Sequence, residues 1–113
     1  MDRNEAERST TLADRQAALK LRFRERAMAE ARALERLIDD LQHGPPELEL
    51  QAEIRRIAHS LSGGGGTFGY AAISERAAEL EELVLDCPDS PVLAGACRAL
   101  VAEVRRMPTG AAA

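Results

Sequence analysis

Apolar residues return every three or four positions along four separate stretches, and that period restricts the chain to helices packed face against face. In the first stretch Leu19, Phe23, Ala27, Ala31, Leu34, Ile38 and Leu41 form one stripe, which His43-Gly44-Pro45-Pro46 ends. The second opens near Pro46, since proline suits a first helical turn, and places Leu50, Ile54, Ile57, Ala58 and Leu61 inward. The third runs from about Tyr70 to Leu85, with Ile73, Ala77, Leu80 and Val84 inward and Glu79, Glu81 and Glu82 outward. Cys87-Pro88-Asp89-Ser90-Pro91 reads as a turn, with Ser90 as N-cap and Pro91 as the first helical residue of the fourth stretch. There Leu93, Cys97, Leu100, Val104 and Met107 share a face. Short connections force neighbours to run antiparallel. The expected fold is therefore all-α, an antiparallel four-helix bundle over residues 11–107.

The ends are less constrained. Residues 1–10 are polar and read as a flexible arm, and residues 108–113 as a flexible tail. Thr11 and Asp14 have capping-box spacing, which would start the first helix near Thr11. A continuous helix from Leu12 to Leu41 would be roughly 45 Å long, more than the later helices need. Two arrangements follow. The chain bends near Leu19–Leu21 to make a short N-terminal cap helix, or the first helix overhangs the bundle. An overhanging apolar stripe could support a dimer, although a monomer is the expected state.

A chain of 113 residues holds one core, but not a core plus a large active-site pocket. Net charge is −4 and Lys20 is the only lysine, a balance that argues against a nucleic-acid partner. Arg22, Arg24, Arg26, Arg32 and Arg36 read as a solvated helix face. No run is long and apolar enough to span a membrane, and Met1-Asp2-Arg3-Asn4-Glu5 lacks an apolar leader core, so a cytoplasmic protein is expected. Cys97 lies on the apolar stripe and Cys87 in a turn. Two histidines and two cysteines without ligand spacing suggest no metal site. His43 reads as a solvated helix-end residue.

The informative position is His59. At about 100° per residue the apolar positions of the second helix cluster in one sector, and His59 falls opposite its centre. It should face solvent, mid-helix. Ala52, Arg55, Arg56 and Gly63 share that face, and the only carboxylate expected near the ring is the more lateral Glu53. An exposed neutral imidazole is a competent nucleophile toward phosphorus. Arginine can hold phosphate oxygens through planar, bidentate hydrogen bonds.

The stretch Ala58-His59-Ser60-Leu61-Ser62-Gly63-Gly64-Gly65-Gly66-Thr67-Phe68-Gly69 resembles the signature of histidine phosphotransfer (HPt) domains. That signature has a small residue four positions after the histidine, here Gly63. It has a glycine ten positions after it, here Gly69, preceded by an apolar residue, here Phe68. Leu80-Glu81 is similar to the family's helix after the site. The resemblance covers roughly Phe23 to Arg106 and implies an HPt-like bundle. It further implies that His59 accepts a phosphoryl group on Nε2 from a receiver-domain aspartate or a hybrid histidine kinase. His59 then passes the group to a second receiver in a multistep phosphorelay. The chain would be a phosphocarrier rather than an enzyme, with no nucleotide motif and no cofactor of its own. Mg²⁺ and the acidic pocket would come from the receiver. Ser60, Ser62, Gly63, Gly64 and Thr67 would contribute to a transient docking surface.

One place departs from the family pattern. A lysine usually stands three residues after the histidine, and here that residue is Ser62. Either the Ser62 hydroxyl, or Arg55 or Arg56 one turn earlier, would then serve the phosphoryl group. The alternative function is a degenerate HPt domain or helical adaptor that binds receivers or kinases without phosphorylation. The glycine run also has two readings. Each glycine costs about 1 kcal/mol in a helix, which favours a loop. The resemblance implies that the helix continues through Gly63–Gly66 toward Phe68 and Gly69, and continuation is the expectation here. A phosphate-binding loop is excluded, because no Gly-Lys-Ser/Thr follows.

Overall fold

A computed structural model describes the backbone of residues 3–43 and 47–108, and side chains from residue 11 onward in those segments. Four helices follow one another: α1 (Arg3–Leu41), α2 (Leu48–Thr67), α3 (Ala71–Asp86) and α4 (Leu93–Arg105). Each packs against its neighbours in a ring, α1 on α2, α2 on α3, α3 on α4 and α4 on α1. Pairings across the helices fix the directions. Glu30 meets Arg56 while Phe23 meets Gly64, and His59 meets Glu81 while Gly65 meets Ser74. Both pairs of helices therefore run antiparallel, as short links require.

The core is the expected one in most places. Phe23, Ala27, Ala31, Leu34 and Ile38 of α1 are buried, as are Ile54, Ile57, Ala58 and Leu61 of α2. Ile73, Ala77, Leu80 and Val84 of α3 join them, with Leu93, Cys97, Leu100, Val104 and Met107 at the C-terminal end. Val101 and Gly65 are buried too, which the apolar spacing did not assign. Leu41 and Leu50 are only half-buried, because they lie at the open end of the bundle beside the α1–α2 link.

The first helix corrects two expectations. It is continuous, so there is no separate cap helix near Leu19–Leu21. Helical backbone also extends N-terminal to Thr11, so Thr11 and Asp14 do not cap it. Residues 11–22 are all exposed, and Leu19 with them, because no other helix reaches that far. Of the segment 1–10 read as an arm, residues 3–10 lie within α1. Residues 109–113 of the expected tail, and the Gly44–Pro46 link, lie outside the described residues. His43 is exposed at the C-terminal end of α1, and its Nδ1 bonds the Asp39 carbonyl at 2.8 Å.

The start of α4 also shifts. Leu93 N–H donates to the Ser90 carbonyl at 3.1 Å, and Val92 N–H donates to Ser90 Oγ at 3.3 Å. Ser90 therefore closes a turn just ahead of the helix, and Val92 takes the N-cap position. Proline at 91 fits that turn, since its fixed φ suits the second position.

The glycine run is helical throughout, as the resemblance implies. Two of its members explain why. A Cβ on Gly64 would stand 2.2 Å from the Phe23 ring, and a Cβ on Gly65 would stand 2.9 Å from the Ser74 backbone nitrogen. α1 and α3 both press onto α2 where side chains are missing. Gly69 then ends the helix with φ of +82°, and Tyr70 N–H bonds the Gly65 carbonyl at 2.7 Å. This is the left-handed stop that glycine makes at no steric cost. Phe68 and Tyr70 on either side of Gly69 stack on Phe23, with ring centroids 5.4 and 5.8 Å away. Lys20 lies over the outer face of this cluster, 5.1 Å from the Tyr70 ring.

Candidate functional site

His59 sits midway along α2 with its side chain 79% exposed, opposite the buried stripe, as the helical wheel requires. The ring is not free to turn. Its Nδ1 lies 2.9 Å from Oε2 of Glu81, a residue of α3. A carboxylate can only accept, so the proton of a neutral ring stays on Nδ1, and the lone pair of Nε2 is left outward.

This pairing corrects the expectation for Glu81. It does not stand out in solvent with Glu79 and Glu82, for its side chain is only 22% exposed. Glu79 is exposed and pairs with Arg76 instead. The reason is its row on α3. Glu81 follows Ala77 by four residues and precedes Val84 by three, so it borders the buried stripe on the flank that meets α2. The carboxylate beside the ring is thus Glu81 and not Glu53.

Glu53 is occupied elsewhere. Arg56 bonds both of its oxygens, the shortest at 2.6 Å, and also bonds Glu30 of α1 in a parallel pair at 3.0 and 3.0 Å. Glu30 is largely covered, so the trio clamps α1 to α2 at the level just below His59. The hydrogen bond from Arg56 holds the Glu53 carboxyl below the usual carboxylate range, and the two carboxylates together hold the Arg56 guanidinium more firmly protonated. Arg55 has no hydrogen bond or ion pair among the described residues. It lines a shallow hollow with Ala52, Arg56, His59 and Glu81.

The other residues singled out from sequence divide by face. Gly63, one turn beyond His59, has nothing near the space a Cβ would fill, so the outer surface beside the ring is bare. Gly64 is covered by Phe23 and Arg26, and it serves helix packing rather than an open surface. Ser60 and Ser62 are half-buried on the two flanks. The Ser62 carbonyl accepts a hydrogen bond from Ser74 Oγ at 2.9 Å, which ties α2 to α3. Thr67 is exposed, and its hydroxyl donates back to the Gly63 carbonyl at 2.9 Å. Phe68 and Gly69 shape the end of the helix and touch no part of the hollow.

The site is therefore a fixed, outward imidazole on a convex helix face, flanked by one carboxylate, one unpaired guanidinium and a bare glycine turn. It has no enclosed pocket for a small substrate. Such a surface suits chemistry in which the partner brings the reactive group to the ring.

Comparison with known proteins agrees. No curated protein and no solved structure gives a significant match. A family model described as the Hpt domain matches residues 18–109, from the overhang of α1 to just beyond α4. The chain belongs to the Hpt domain family, the phosphocarrier modules of histidine phosphorelays.

Proposed function

We propose that this protein accepts a phosphoryl group on Nε2 of His59 from the aspartyl phosphate of a receiver domain, or of a hybrid histidine kinase, and passes it to the aspartate of another receiver. The single observation that carries this reading is the His59–Glu81 pair on an otherwise open face. It provides a nucleophilic nitrogen of fixed direction at a place a second protein can reach.

The chemistry balances without a proton transfer. The Nε2 lone pair forms the N–P bond as the aspartyl O–P bond breaks, and the receiver's aspartate leaves as a carboxylate. The proton on Nδ1 remains there, and the ring becomes cationic. Glu81 then faces a positive charge that grows along the reaction, which favours the transition state over the ground state. Phosphoryl transfer of this kind is governed by positioning and charge neutralisation. Mg²⁺ and an acidic pocket belong to the receiver's side of the complex. This chain contributes the nucleophile and the docking face, made by the outward side of α2 around His59, Gly63 and Thr67 with Ser60 and Ser62 at its flanks. The interface is modest and transient. The protein is a phosphocarrier without autonomous catalysis, acts as a monomer in the cytoplasm, and binds neither nucleic acid nor membrane.

The test is transfer from a phosphorylated receiver in the presence of Mg²⁺. The expected result is acid-labile, alkali-stable label on this chain, lost in His59→Gln. Binding to receivers without label from any of them would sink the carrier reading and favour an adaptor, the role that the missing lysine at Ser62 leaves open.

A further inference from the structure

We infer that Arg55 is the residue that neutralises the phosphoryl group on His59. The inference rests on the carrier reading above and names the charge partner of that same site.

A phosphoryl group on Nε2 carries close to two negative charges near neutral pH. On this surface it would stand beside a ring whose other nitrogen is already held by the Glu81 carboxylate. A second anionic group so near must be offset, since like charges a few ångströms apart are unfavourable even in partly screened surroundings. The cations within reach are few. Arg56 faces the same hollow, but its guanidinium is engaged by Glu53 and by both oxygens of Glu30. Releasing it would strip Glu30 of its partner and open the clamp between α1 and α2. Arg26 lies on the far flank, over the Phe23 ring at 5.3 Å and against Gly64. Ser62, one turn beyond His59, offers a hydroxyl and no charge.

Arg55 remains. It precedes His59 by four residues, so the two side chains leave the helix on the same face with Cβ atoms about 6 Å apart. Both line the hollow that also contains Glu81. No carboxylate holds the Arg55 guanidinium among the described residues. A planar fork of N–H donors on a long side chain can bond two phosphoryl oxygens at once, and it can do so as the charge forms. Before transfer Arg55 has no competing partner to leave. It shares the hollow with Glu81, so a cation there also offsets the nearest fixed negative charge.

The test uses phosphoramidate, a small N-phosphoryl donor, so that docking to a receiver does not enter the rate. His59 labelling is followed in the full chain and in single variants, with the melting temperature of each recorded. Arg55→Ala is expected to label about tenfold more slowly, below the roughly 10²–10³ that a positioned donor contributes in a water-excluded site, because this site is open to water. Arg55→Lys recovers most of the rate, and Ser62→Lys restores it in the Arg55→Ala background by bringing a cation from the other turn. Arg26→Ala, on the far flank over Phe23 and Gly64, labels at close to the original rate. The inference is overturned if Arg55→Ala labels as fast as the unchanged protein, or if Arg26→Ala is the slow variant. Absence of label on the unchanged protein from every donor, or label that persists in His59→Gln, would instead overturn the carrier reading beneath it.

Discussion

At the scale of single residues the decisive contact joins His59 to Glu81 across two helices. Glu81→Ala frees the ring and removes the charge that balances the phosphorylated imidazole, a loss of about 1 kcal/mol on this open surface, so transfer to His59 should slow by about five- to tenfold. Glu81→Gln keeps an acceptor for Nδ1–H but no charge, and its rate should lie between the two. Stability should hardly change, since the His59 ring is exposed and exposed ion pairs contribute about 0–1 kcal/mol. Stopped transfer assays beside thermal melts check both halves. The exposure of His59 was legible in the sequence, because the period of one helix settles which face a residue takes. Its partner was not, because the wheel of α2 says nothing of how α3 is rotated. The same reasoning separates the thiols. Cys97 is fully buried, and burial pushes its thiol up to about 12, so its thiolate is scarce at pH 8. Cys87 is exposed. A thiol reagent at pH 8 should titrate one cysteine in the native protein and two in denaturant. Rapid reaction of both native thiols would contradict the buried position of Cys97.

At the scale of the element, α2 shows how tertiary contacts override local preference. Four successive glycines favour a loop on propensity alone, yet the helix runs through them because two face packed neighbours. The glycines should therefore respond in opposite directions to the same change. Gly64→Ala gains about 1 kcal/mol of helix propensity, but drives a methyl into a Phe23 ring held by Phe68 and Tyr70. Overpacking of that kind costs about 1–3 kcal/mol, so the net effect is destabilising. Gly65→Ala meets the Ser74 and Tyr70 backbone at the head of α3, which cannot rotate away, and should be at least as harmful. Gly63→Ala and Gly66→Ala meet open space or an ordinary contact and should stabilise by about 0.5–1 kcal/mol, a rise of several degrees in melting temperature. Gly63→Ala should nonetheless weaken binding to a receiver, since it adds a methyl beside the ring. A drop in melting temperature for Gly63→Ala would show that α2 is packed differently. The apolar stripes of all four helices were legible because burial follows the helical period. The places where helices touch through missing side chains were not, since a glycine carries no hydropathy to mark its face.

At the scale of the molecule the protein is a bundle with one helix twice as long as its neighbours need. The stripe that packs Phe23 to Ile38 continues to Leu19 and Leu12, yet both are exposed, at 49% and 59%, because the other helices stop short of them. The continuous stripe is what left a bent cap helix and an overhang equally open in the sequence. The two differ in shape. The overhang gives principal extents of 63 × 24 × 20 Å and a radius of gyration of 17.1 Å, whereas a compact chain of this length would have about 13 Å. Small-angle scattering should return a value near 17 Å, and one near 13 Å would mean that the first helix folds back over the Phe23–Phe68–Tyr70 cluster. Forward scattering in the same experiment reads the mass. Two leucines separated by Gln16 make about one heptad of seam, while a stable coiled coil sustains its pattern over three or four. The mass should therefore be that of a single chain, 12.2 kDa, across dilution. Leu12→Glu and Leu19→Glu then leave the melting temperature within about 3 °C, because surface changes away from packed groups rarely move stability by more than about 0.5 kcal/mol. A doubled mass that falls to one chain in Leu19→Glu would instead make the overhang an interface between two copies, leaving the His59 faces on separate bundles.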